Sequence, residues 1–357
     1  MLKVLFASLK YDYGKPQNGL SVENTNFYDC LRQMSDVQVE FFAIDEQTLA
    51  YGRDTANQNL IKVVEETKPD LVFCYLLSEE IKKSTIEYIT KNIKIKTFNW
   101  FADDHWRIPV FSRHWAPLFT MVSTTDPNAV ELYKFYGITN VIKSQWGANP
   151  FLYFLQDETK NPHNLDVTFV GKKYGKRGGY FEALQNAGIP AKAFGGGWPA
   201  GRADHQKMLE TFSFSKINLN FSETYFYGAE EKLKQVVKLF VGKELGRYKF
   251  TGHHFFDNVK AMKGTQRKCI KGRVFEVPAC GGFLLTGKSD DDITPFYVPG
   301  KEIVEFDSEG DLIEKCKYFL SHDTERQAIA KAGYDRTMKD HTYIKRFEEI
   351  FKALGLR

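Results

Sequence analysis

The sequence is poor in cysteine, has no long apolar run and carries little net charge, and each shortage narrows what it encodes. Five of 357 residues are cysteine: Cys30, Cys74, Cys269, Cys280 and Cys316. They are odd in number, widely spaced and never form C-x-x-C, which argues against a disulfide framework or a zinc knuckle. A reducing, cytoplasmic setting is the expectation. No window approaches the ~18 uninterrupted apolar residues of a spanning helix, so at most a peripheral contact with a membrane is expected. The opening MLKVLFASLKYDYG meets charge at Lys10 and lacks a small-residue cleavage site, unlike a signal peptide. The net charge is only +4, but its distribution is uneven. Residues 1–150 hold 16 Lys and Arg against 18 Asp and Glu, whereas residues 231–273 hold 12 against 3. An anionic partner is therefore expected for the second half.

What is present is ample apolar and aromatic material, 43% and 15% of residues, enough for two packed cores in a chain of this length. The first half alternates strand and helix patterns. LKVLFAS (2–8), VQVEFFAID (37–45), DLVFCYLL (70–77), KIKTFNWFADD (94–104) and FTMVSTT (119–125) read as strands. NTNFYDCLRQM (24–34), NLIKVVEETK (59–68) and DPNAVELYKFYG (126–137) read as helices. Periodicity lapses over 141–164, as in a linker, and restarts at LDVTFVGKKYGKRGGYFEALQNAG (165–188). The pattern predicts two doubly wound α/β domains, 1–150 and 151–340, with 341–357 a helix crossing back to the first.

Three stretches carry candidate chemistry. In CIKGRVFEVPACGGFLLT (269–286), Arg273 and Glu276 are three apart on one helix face, and the helix ends at Cys280-Gly281-Gly282. A cation and helix-terminal amides suit a diphosphate, and a carboxylate suits the hydroxyls of a ribose. A plain surface ion pair is the competing reading. VTFVGKKYGKRGG (167–179) runs from a strand through a Gly-Lys loop into a helix, an anion cradle or a simple turn. FADDHW (101–106) follows a strand, and Asp104, Asp103 or His105 could accept a proton from a hydroxyl; a helix cap with an exposed acid is the alternative. SDDDI (289–293) reads as a solvated acidic turn rather than a metal site, and no metal or cofactor is expected. In the basic stretch, Lys243, Arg247 and Lys249 are interleaved with aromatics. They read as a solvated helix face or as an acceptor-side surface for DNA, RNA or anionic lipid.

K-G-R-V-F-E-V-P-A-C-G-G-F-L-L-T at 271–286 resembles the C-terminal signature of the CgeB-like (spore maturation protein) glycosyltransferases, relatives of the retaining GT-B enzymes with an E-x7-E motif. F-V-G-x-x-Y-G-x-R at 169–177, N-W-F-A-D-D-H-W-R at 99–107 and N-L-N-F-S at 218–222 extend the likeness over most of the chain. The resemblance implies a GT-B fold, with two Rossmann-like domains facing a cleft, and nucleotide-sugar-dependent hexosyl or pentosyl transfer. A UDP-sugar is the favoured donor, no metal is needed, and a polysaccharide or lipid-linked hydroxyl is the acceptor. It also implies that Glu276 binds the ribose and that Lys271, Arg273, Gly171, Lys172 and Arg177 face the donor phosphates. Beside the resemblance, Gly196 lies in a glycine run read either as a cleft loop near the nucleobase or as a flexible turn, Gly281 ends the candidate donor helix, and the loop holding Tyr11 and Tyr13 is expected to line the cleft from the N-terminal side. The first glutamate of the motif is replaced here by Lys268. The basic stretch motivates transfer to a hydroxymethylated base in DNA as an alternative, and the missing glutamate motivates a non-catalytic nucleotide- or nucleic-acid-binding module.

Overall fold

The structure is a computed structural model that describes residues 1–156, 165–223, 236–237, 239–244 and 247–357, without the side chains of 242–244, 247–249 and His253. The chain forms two compact units. The first comprises Met1–Gln145, Leu233–Thr265 and Tyr343–Arg357, and the second Trp146–Lys232 and Gln266–Thr342.

In the first unit, strands β1 (Leu2–Ser8), β2 (Val37–Ala43), β3 (Leu71–Tyr75), β4 (Lys96–Phe101), β5 (Met121–Thr124) and β6 (Val141–Lys143) form one sheet, ordered β2-β1-β3-β4-β5-β6. All its pairings are parallel. Parallel strands need crossovers over both faces, so the central strands are apolar on both. Leu5, Ala7, Val72 and Cys74 pack with Leu60 and Val64 of the helix Ile44–Thr67. On the opposite face Phe6, Phe73, Phe98 and Trp100 meet aromatic partners. There Phe27 lies 4.7 Å from Tyr343, and Phe73 lies 5.7 Å from Phe347, both from the last helix, Tyr343–Ala353. β6 falls inside the stretch read as a linker, where three strand residues are too few to show a period.

The second unit holds β7 (Leu165–Val170), β8 (Ala191–Phe194), β9 (Ser215–Asn220), β12 (Leu284–Gly287) and β13 (Val304–Phe306), ordered β13-β12-β9-β7-β8 and again wholly parallel. Val167, Phe169, Ile217, Leu219 and Leu285 pack on one face. Val170, Phe212, Phe275 and Leu284 form a cluster with the helix Arg273–Ala279.

The basic stretch corrects the sequence reading twice. It is not one helix face: β10 (Val241–Glu244) and β11 (Arg247–Phe250) pair as an antiparallel hairpin, followed by the helix Phe255–Gly264. The period-two run R-Y-K-F is a strand pattern. Its residues Leu233–Thr265, read above with the C-terminal half, belong to the first unit. Arg113 pairs there with Asp257 at 2.7 Å. A Cβ on Gly264 would stand 2.0 Å from the carbonyl oxygen of His105, so only glycine permits this approach.

Candidate active site

In open parallel sheets, ligands sit beyond the carboxyl ends of the strands where the strand order reverses. In the second unit that point lies between β7 and β9, which are neighbours although β8 separates them in sequence. β7 delivers Gly171–Lys176 and β9 delivers Phe221–Glu223.

The β7 loop is braced from both sides. The amides of Gly171 and Lys173 donate to the carbonyls of Phe194 and Gly196, at 2.8 Å each. Trp198 Nε1 donates to the Gly171 carbonyl at 2.9 Å. Gly195, with φ +140, passes so close that a Cβ would stand 2.2 Å from the Gly171 oxygen. The amides of Gly171 and Lys173 are therefore already engaged, and the loop exposes the side chains of Lys172, Lys173 and Lys176.

Arg177 also differs from its expected role. It is 7% exposed, and its guanidinium donates to the Lys172 carbonyl at 2.9 Å and the Tyr174 hydroxyl at 2.7 Å. It lies 3.8 Å from the Tyr174 ring centre. Five donors in a planar fork suit it to bracing the loop from beneath. Tyr174 continues to the Glu223 carbonyl, and the Tyr180 hydroxyl donates to Glu223 Oε1 at 3.2 Å. Burial and the Glu223 charge push the Tyr180 hydroxyl up to about 12. Glu223 escapes sequence reasoning; it follows N-L-N-F-S, but nothing local shows that β9 adjoins β7.

The helix Arg273–Ala279 reaches the same crevice. Arg273 Nε donates to the carbonyl of Val170, the last residue of β7, at 3.3 Å. Its Nη1 pairs with the buried Glu276 carboxylate, so the ion pair of the bland reading exists, but inside the crevice. Lys271 is half-buried just before the helix, and Gly281 closes it with φ +74. Asp291 of the acidic turn is not solvated. It is buried, with Oδ1 2.7 Å from Arg267, and Asp290 and Asp291 tie the segment Lys268–Ile270 to this turn. Among the described residues, no group of three or more His, Cys, Asp or Glu side chains is placed to hold a metal ion.

In the first unit the order reverses between β1 and β3. Asp104, the leading proton acceptor of the sequence reading, is 1% exposed. Ser112 Oγ donates to it at 2.5 Å and the Tyr133 hydroxyl at 2.9 Å. Burial raises its carboxyl to about 6 while Ser112, Thr124 and Tyr133 hold it down. Its oxygens are committed to the core, so it anchors the turn after β4. Asp103 is half-buried in the left-handed region at φ +58, and its carbonyl caps the Asp104–Arg107 turn. His105 is half-buried beside the Gly264 contact.

The structure adds Glu23. It opens the π-helical segment Glu23–Tyr28, which runs into the helix Asp29–Gln33, and is 6% exposed. Its carboxyl is raised to about 7, mainly by burial, with a hydrogen bond from Ser21 opposing and the Asp12 and Glu80 charges adding. Tyr75, ending β3, is pushed well up by burial and by the charges of Glu23 and Asp103. Nothing in S-V-E-N marks Glu23 as buried. Tyr11 is fixed through its amide to Asp45 Oδ2 at 2.9 Å, whereas Tyr13 is exposed. The side chains of Lys243, Arg247 and Lys249 lie outside the described residues.

Known proteins share this organisation. A family model described as glycosyl transferase-like matches residues 177–352. Spore protein CgeB of Bacillus subtilis (strain 168) is 21% identical over 286 residues, covering 80% of this chain and 83% of that protein. Anabaena HepE, solved with UDP and glucose, superposes with a TM-score of 0.56 at 10% identity over the whole of both chains. The lipopolysaccharide outer core galactosyltransferase WaaB, in its apo form, gives 0.54 at 11% identity over 99% of each. The chain is thus similar to spore protein CgeB, carries a glycosyl transferase-like sequence over 177–352, and has the two-domain α/β fold of the GT-B type.

Proposed function

We propose that the protein transfers a sugar from a UDP-sugar to a hydroxyl of a surface polysaccharide or lipopolysaccharide. The observation that carries this reading is Arg273, which donates to the Val170 carbonyl at the end of β7 and pairs with the buried Glu276, beside the strand-order reversal where this fold class receives nucleotides. The UDP seen with HepE and the lipopolysaccharide substrate named for WaaB support the choice of donor and acceptor.

In this reading the diphosphate lies over the exposed β7 loop and draws Arg273 away from Glu276. Glu276 then accepts the ribose hydroxyls. As the bond from the anomeric carbon to the diphosphate breaks, Lys172, Lys271 and Arg273 meet the charge that grows on the leaving group. Asp103 and Glu23 serve the acceptor side, and Glu23, its carboxyl raised to about 7 by burial, is suited to take the hydroxyl proton. The stereochemical course is left to the acceptor-side geometry, since Lys268 stands where a second donor-side carboxylate would be.

The test is UDP release from a panel of UDP-sugars, with and without lipopolysaccharide, using wild-type protein and Glu276→Ala. Acceptor-stimulated release that disappears in the variant is the expected result. Release unaffected by Glu276→Ala would overturn the site, and release stimulated only by hydroxymethylated DNA would overturn the acceptor.

A further inference from the structure

The basic insertion has a feature that sugar transfer does not use. Phe240, Phe250 and Phe256 are exposed, Phe250 by 67% and Phe256 by 80%, and Val236 and Val237 are each about half exposed. An isolated exposed apolar residue needs no explanation, but five within 21 residues of one insertion do. The three phenylalanines sit on connected elements. Phe240 and Phe255 rings lie 5.5 Å apart and Phe255 and Phe256 5.7 Å apart. Val241 pairs with Phe250 across the hairpin, and the Thr251 amide donates to the Phe240 carbonyl at 2.7 Å. Asn258 Nδ2 binds the Leu239 carbonyl at 2.8 Å, tying hairpin to helix.

The helix that carries Phe256 is attached to the rest of the first unit through the Gly264 contact and the Arg113–Asp257 pair. Phe256, Lys260 and Lys263 fall at i, i+4 and i+7, one stripe of the helix, and all three are exposed. Between 236 and 263 the sequence holds six Lys and Arg against Glu244 and Asp257, and Asp257 is already paired with Arg113.

We propose that this face docks on an anionic lipid bilayer, with Phe240, Phe250 and Phe256 entering the interface and Lys260 and Lys263 meeting lipid phosphates. Apolar side chains gain by leaving water for the acyl boundary, and cations add attraction to anionic headgroups. The valines favour lipid over nucleic acid, because base stacking needs π faces that Val236 and Val237 lack. Docking of this kind does not depend on the donor site.

The experiment is co-sedimentation of the full chain with phosphatidylcholine vesicles, with and without phosphatidylglycerol. It is run on the wild type, on Phe250→Ser with Phe256→Ser, and on Lys260→Glu with Lys263→Glu. All substituted residues are exposed, and circular dichroism of each variant monitors folding. The wild type should bind the anionic vesicles and leave the neutral ones largely unbound, and each double variant should bind about tenfold more weakly. Equal binding by wild type and both variants would overturn the proposal. So would duplex DNA competing fully for the same face, or a wild-type dimer that the phenylalanine variant dissolves.

Discussion

Glu23→Gln tests the energetics of the buried Glu23 carboxyl. In the folded protein the Glu23 carboxyl titrates at about 7 against an ordinary value of 4.5, chiefly because burial disfavours the carboxylate. The folded state therefore holds this proton more tightly than the unfolded chain does. The stability this gives is complete below about pH 4.5 and is lost as pH rises through 7. A gap of about 2.5 units at 1.36 kcal/mol each is roughly 3 kcal/mol across that window. Glutamine is neutral throughout and close in shape. The variant should thus match the wild type in acid and exceed it by roughly 3 kcal/mol at about pH 8. Scanning calorimetry of both proteins across this range gives the difference directly, and Asp104, common to both, cancels. Melting temperatures that run parallel at every pH would show that Glu23 is not buried as a neutral acid. Sugar transfer should fall in the same variant, because the gain in stability comes from removing a group proposed to take a proton.

Gly195→Ala forces a methyl group against the Gly171 carbonyl at a strained φ and should cost about 3 kcal/mol, with weaker nucleotide binding seen as a smaller thermal shift. Arg177→Ala removes the brace under the same loop and should lower both melting temperature and donor affinity. Arg177→Lys should not restore them, since an ammonium cannot span the Lys172 carbonyl and the Tyr174 hydroxyl together. Asp104→Ala leaves the buried hydroxyls of Ser112 and Tyr133 without their acceptor and should cost roughly 3 kcal/mol, read by chemical denaturation.

Most strands were legible because parallel strands buried on two faces are continuous apolar runs; LVFCY in β3 and FLLTG around β12 needed no partner to be recognised. The pairing of Arg273 with Glu276 was legible from their spacing. Glu23, Tyr75 and Glu223 were not, because each owes its position to the order of strands in a sheet, β1 beside β3 and β7 beside β9. That order is set by long-range packing and leaves no local mark. Arg177 and Asp104 were visible as residue types, but only their burial shows that one braces a loop and the other anchors a turn. The basic stretch announced its charge, while the hairpin and its place in the first unit emerged from contacts such as Gly264 against His105.

The central claim is that the β7–β9 crevice holds the donor nucleotide. Calorimetric titration of UDP into the wild type and into Glu276→Gln tests it most directly. The account predicts one site per chain in the wild type and at least about a tenfold loss in the variant, since a ribose hydroxyl loses a charged partner worth roughly 1.5–3 kcal/mol. Equal affinity in the two proteins would place the nucleotide elsewhere and contradict the account.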